Sequence, residues 1–153
     1  KLPNNWMYIG AIRAMLPGAR IVDCRRDALE AAWSALKLQY GNVLPFTCGI
    51  DEIASWRRDY ERLMRHWDAI APGAVLRFEY EALVAEPDAR IRALLDFCVL
   101  PFDAACLAFH DVQRDVHTAS AAQVRSPLRR DTARAERYGA VLDPLRAALG
   151  SPA

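Results

Sequence analysis

Two short apolar runs, "RIVDC" at 20–24 and "AVLRFEY" at 74–80, are separated by two stretches with helical periodicity and followed by another. That order of strand, helix, helix, strand, helix leaves few folds open. Two strands joined through a helical crossover lie parallel, and a parallel sheet needs helices over its faces. The expectation is an α/β fold with a parallel sheet flanked by helices. Two strands are too few to make that sheet alone. The chain also begins at Lys1, without an initiator methionine, and enters structured sequence at once. Residues 1–153 therefore read as the C-terminal part of a single larger domain whose N-terminal part is missing. The competing expectation is a short chain that completes its sheet by association.

The helical stretches are separable by their punctuation. "NWMYIGAIRAML" at 5–16 spaces Trp6, Ile9, Ile12 and Leu16 at helical intervals, after Pro3 in the first turn, and "PGA" ends it. Asp27 is placed to cap the next helix, with Glu30 three residues on in a capping-box arrangement, and the helix runs to about Tyr40. "GNVLPFTCG" reads as a loop. Asp51 to Ile70 is the clearest amphipathic helix, with Ile53, Trp56, Tyr60, Leu63, Met64, Trp67 and Ile70 on one stripe. Further helices are expected from Pro87 to about Phe97, from Asp103 to about Asp111, and across "ARAERYGAVLDPLRAAL", which Pro144 interrupts. Residues 112–129 read as irregular.

With 153 residues, 53% hydrophobic and 25% charged, the chain can bury one core. A net charge of +1 argues against broad nucleic-acid binding and leaves room for a local basic pocket. Lys1 and Lys37 are the only lysines in an arginine-rich chain. Cys24, Cys48, Cys98 and Cys106 show no CxxC spacing, so no metal site is expected. Cys24, Cys98 and Cys106 stand in apolar contexts and read as buried thiols of a reducing, cytoplasmic compartment. No membrane span and no signal peptide are visible.

Chemistry concentrates at "IVDCRRDALEAAWS", Ile21 to Ser34. In open α/β sheets, ligands bind beyond the carboxyl ends of the strands, where Arg25 and Arg26 fall. A helix N-terminus follows and adds partial positive charge. Ser34 lies two turns into that helix, on the side of Asp27 and Ala31. An arginine at the strand end and a hydroxyl on the helix flank can hold one phosphate between them. The ordinary alternative is a solvated arginine pair and a neutral helix serine.

An arginine before Asp at a strand end, with serine eight positions on, resembles the 3′-phosphate-binding motif of sulfotransferases. Those enzymes use 3′-phosphoadenosine-5′-phosphosulfate (PAPS). "KLPNNWMYIGAIRAMLPGARIVDCRRD" is similar to the family's segment from catalytic lysine to that motif. "LRFEYEALVAEPDARIRALLDFCVLPFD" resembles its "YEDLV-P" strand and following helix. "TASAAQVRSPL" and "RYGAVLDPL" resemble the C-terminal segments of the bacterial branch related to tyrosylprotein sulfotransferases, which is often fused to tetratricopeptide repeats.

The resemblance implies a P-loop-NTPase-like sheet, PAPS as co-substrate, no metal, and a hydroxyl or amine acceptor on a protein, peptide, sugar or small molecule. It implies that Arg26 and Ser34 hold the 3′-phosphate, and that Lys1 stabilises the bridging oxygen as the sulfuryl group leaves. Tyr80 matches the "YEDL" tyrosine near the nucleotide, and Ser120 and Arg125 fall in the loop that closes over it. Arg25 is then a bystander. The sequence departs from the family in lacking the 5′-phosphosulfate loop and a general base, both upstream of the catalytic lysine in relatives; no GxxxxGK[ST] occurs. Half an active site is therefore expected here. The rivals are another P-loop phosphotransferase, such as a nucleotide kinase, and a catalytically silent interaction module that docks a partner through helix 51–70.

Overall fold

The computed structural model describes residues 2–38, 44–112, 125–129 and 133–150. They fall into two compact units: one comprises residues 1–77 with 133–153, the other residues 78–132.

In the first unit, a 3-10 segment Pro3–Tyr8 leads into helix α1 (Ile9–Met15), strand β1 (Ile21–Arg25) and helix α2 (Ala28–Leu38). Helix α3 (Ile50–Ile70) follows a 3-10 turn at Pro45–Cys48 and precedes strand β2 (Val75–Glu79). β1 and β2 pair as a two-stranded parallel sheet. The expected α/β order is thus present, with α2 and α3 forming the crossover.

One apolar cluster ties α1, α3 and both strands together. Ile9, Tyr60 and Met64 are buried, with Trp6, Ile21, Trp56, Trp67 and Val75 packed against them. Gly10 makes this approach possible: a Cβ there would sit 3.3 Å from the Trp67 ring. A second cluster joins α2 and α3 to the C-terminal segment, through Ala32, Ile53, Ala135, Leu142 and Leu145. The α3 stripe read from the sequence supplies both clusters. Its last member, Ile70, remains 57% exposed, because the helix has by then run past the core.

The C-terminal segment breaks earlier than Pro144. A 3-10 stretch Ala135–Leu142 contains Gly139 at φ 50 and ψ −132, and helix α6 (Asp143–Gly150) begins after it. Pro144 stands in the first turn of α6, where its missing N–H costs nothing.

In the second unit, helix α4 (Tyr80–Ala85) and helix α5 (Pro87–Cys98) follow β2 directly. The helix expected from Asp103 to Asp111 is instead two 3-10 turns, Ala104–Cys106 and Phe109–Asp111. Asp103 spends its side chain on capping the first of them, accepting from Ala105 N–H at 2.8 Å.

The cysteine reading also needs correction. None of the four is in a disulfide, but Cys24 is exposed and Cys98 and Cys106 are only partly buried. On β1, Ile21, Asp23 and Arg25 share one face by strand alternation, and Ile21 packs against the α3 cluster. Cys24 points to the other face.

Candidate functional site

The corner between β1 and α2 is fixed from both sides. On the strand side, Asp23 collects its neighbours. The Tyr60 hydroxyl reaches both its carboxylate oxygens, at 2.8 and 2.6 Å, and Arg25 Nε donates to it at 2.7 Å. The Arg25 guanidinium also lies over the Tyr60 ring at 5.3 Å. Burial, the Asp23 hydrogen bond and the Asp23 charge together raise the Tyr60 pKa well above its ordinary value, so its hydroxyl stays a donor. Arg25 is therefore a brace of the strand end, with 18% of its side chain exposed, rather than half of a solvated pair.

On the helix side, Asp27 is the cap that the sequence suggests. Its Oδ1 accepts from Glu30 N–H at 2.9 Å, and its carbonyl accepts the helical bond from Ala31 at 2.9 Å. The Glu30 side chain, however, turns away from a capping box. It is buried, receives Arg26 Nη2 at 3.2 Å, and accepts from Ala135 N–H through its other oxygen.

Glu30 and Ser34 thus stand four residues apart on α2, and Arg26, four residues before Glu30, precedes the helix. Arg26 is about a third exposed at the side chain, and Ser34 is half-buried. Arg26 stands between the end of β1 and the first residue of α2, and Ser34 lies within α2 eight positions on. A guanidinium carries five N–H donors in a fixed fork, a geometry that matches carboxylate and phosphate oxygens.

A cavity of about 310 Å³ opens along the alanine flank of α2, at Ala28, Ala31 and Ala35, and reaches Pro3 and the Trp56–Arg57 turn of α3. Its lining is mainly apolar. Thr47 contributes a hydroxyl already donated to the Leu44 carbonyl at 2.8 Å. Trp56 is held between Phe46 and Tyr60 in stacked geometry and donates through Nε1 to Asn4 at 3.2 Å. That bond fixes the segment directly following Lys1.

The remaining sequence-chosen residues are distributed differently. Tyr80 opens α4 in the second unit, at the end of β2, and donates to the Arg129 carbonyl at 3.1 Å. Arg125 is in the same unit and is exposed. Lys1 and Ser120 lie outside the described residues. Among the described residues no group of His, Cys, Asp and Glu could hold a metal ion, and no helix is long and apolar enough to cross a membrane.

The sequence reading missed three contributors: Glu30 as more than a cap, and Asp23 with Tyr60 as the strand-end anchor. Glu30 was legible as an i, i+4 partner for Arg26. Asp23 was legible as a charge on the inward face of a strand.

A protein of Aquifex aeolicus (strain VF5), described as uncharacterized, is 32% identical over 149 residues, covering 95% of this chain and 20% of its own length. The chain therefore spans about a fifth of that relative. A family model described as "Sulfotransferase family" matches residues 1–104, which include β1, α2 and the Arg26–Ser34 flank. The chain belongs to the sulfotransferase family.

Proposed function

We propose that this chain is the nucleotide-clamping part of a PAPS-dependent sulfotransferase with a P-loop-NTPase-like sheet. The Arg26–Glu30–Ser34 flank beyond the carboxyl end of β1 carries the proposal. Arg26 donates charge-assisted hydrogen bonds to the 3′-phosphate, and the Ser34 hydroxyl donates a further one. The chemistry of this pair fits a phosphate: a fork of N–H donors and a hydroxyl, beside the capped N-terminus of an eleven-residue helix.

PAPS supplies an activated sulfuryl group, which the complete protein delivers to a hydroxyl or amine acceptor. Lys1, which matches the family's catalytic lysine, stabilises negative charge growing on the bridging oxygen. The family motif also assigns Tyr80, Ser120 and Arg125 to the nucleotide, and a general base takes the proton of the acceptor. Fixing the donors in advance lowers the barrier, because they need not reorganise as charge develops.

One observation favours a second reading. Arg26 already has a buried carboxylate partner, so it can serve as a purely structural strut in a catalytically silent module. Ligand selectivity separates the two. On the complete protein, Arg26→Ala should weaken adenosine 3′,5′-bisphosphate by roughly 10- to 100-fold, the worth of hydrogen bonds to a charged group, and leave 5′-AMP nearly unchanged. Ser34→Ala should cost about fivefold with the same selectivity. Equal losses for both nucleotides contradict the clamp.

A further inference from the structure

Glu30 is a buried acid placed between the two residues that the clamp reading assigns to a dianionic phosphate. A carboxylate there opposes an anion by simple Coulomb repulsion. It must therefore return something that outweighs this effect, or the clamp would be better without it. Its contacts show what it returns. One carboxylate oxygen holds Arg26 Nη2 at 3.2 Å, and the other accepts the Ala135 backbone N–H. The Glu30 side chain is 7% exposed, so water cannot replace either partner.

Each contact fixes a different thing. The Arg26 contact removes rotamer freedom from a long side chain that is otherwise a third exposed at the strand end. The Ala135 contact, made across 105 residues of sequence, ties α2 to the start of the C-terminal segment. Ala135 is itself buried in the cluster with Ala32 and Leu145. The acid thus sits in a rigid frame, and the guanidinium is pinned to that frame.

We infer that Glu30 is a positioning residue: it pre-aims the Arg26 guanidinium for phosphate while fastening the C-terminal segment to α2. This inference rests on the assignment of Arg26 to the 3′-phosphate. It makes a prediction of opposite sign to simple electrostatics. Removing a negative charge beside a phosphate should tighten binding if Glu30 is only a competing counter-ion. It should loosen binding if Glu30 aims the arginine.

The test uses Glu30→Gln in the complete protein, titrated with adenosine 3′,5′-bisphosphate and with 5′-AMP. The glutamine carbonyl can still accept from Ala135 N–H, but its amide presents donors to a guanidinium that has only donors. The expected result is a loss of about tenfold for the bisphosphate with 5′-AMP unchanged. In an Arg26→Ala background, Glu30→Gln should have no further effect on that ratio. A purely structural role would lower both affinities together and would persist in the double variant. Tighter or unchanged bisphosphate binding by Glu30→Gln overturns the inference. If Arg26→Ala alone shows no selective loss, the clamp assignment fails instead. Glu30→Asp, which keeps the charge but shortens the reach, serves if the glutamine variant does not fold. It should show the same selective loss, and unaltered selectivity would equally overturn the inference.

Discussion

At the scale of single residues, the strand end is held by a phenol. Tyr60 brings its ring to the core and its hydroxyl to Asp23, so Tyr60→Phe keeps the packing and removes one donor from a mostly buried carboxylate. That loss should cost about 1–3 kcal/mol in unfolding free energy, read from urea denaturation. The pH dependence has a definite sign. The Tyr60 pKa is raised in the folded protein above the ordinary 10.0 of the unfolded chain. The protonated form is therefore the stabilising one, and its contribution is complete below pH 10. Above that pH the unfolded state releases its proton while the native state retains it, and stability falls. The wild type should lose stability above about pH 10 more steeply than Tyr60→Phe. Parallel curves would refute the coupling.

At the scale of elements, the end of α5 shows a local conflict. Val99 adopts φ 57 and ψ 42, and its N–H bonds back to Asp96 while Leu100 N–H bonds to Leu95. This is a Schellman cap, followed by Pro101, with a β-branched residue where glycine is preferred. A left-handed conformation costs an L-residue about 1–2 kcal/mol. Val99 is 71% exposed, so replacing it forfeits little burial. Val99→Gly should therefore stabilise the protein by about 0.5–1 kcal/mol after the extra unfolded-state freedom of glycine is subtracted. A thermal melt should show a rise of about 2 °C; a fall would mean that the valine side chain packs usefully. The Gly139 break is the opposite case, where the residue suits its backbone. It explains why the C-terminal segment is two short helices rather than one interrupted at Pro144.

At the scale of the whole molecule, periodicity and punctuation made much of the fold legible. The two strands, the long α3 and the start of α2 all follow from apolar spacing and caps that act locally. What was not legible depends on tertiary choice. Glu30 could have closed a capping box, and one of its two partners, the Ala135 N–H, arrives from the far end of the sequence. Cys24 stands in an apolar run, but strand alternation alone does not say which face meets α3. The region after Asp103 has helical composition, and Asp103 capping a single 3-10 turn overrides it. For the site, Arg26 and Ser34 were named from motif spacing; Arg26 is found just before α2 and Ser34 within it. Tyr80 and Arg125 belong to the second unit, and Lys1 and Ser120 lie outside the described residues.

The proposed function rests on one claim, that Arg26 and Ser34 recognise a 3′-phosphate. Calorimetric titration of the complete wild-type protein with adenosine 3′,5′-bisphosphate and with 5′-AMP tests it most directly, because the two ligands differ only at that group. A preference for the bisphosphate of roughly tenfold or more is the predicted result, in line with two or more hydrogen bonds to a charged group. Equal affinity for the two nucleotides, or binding of neither, would contradict the claim.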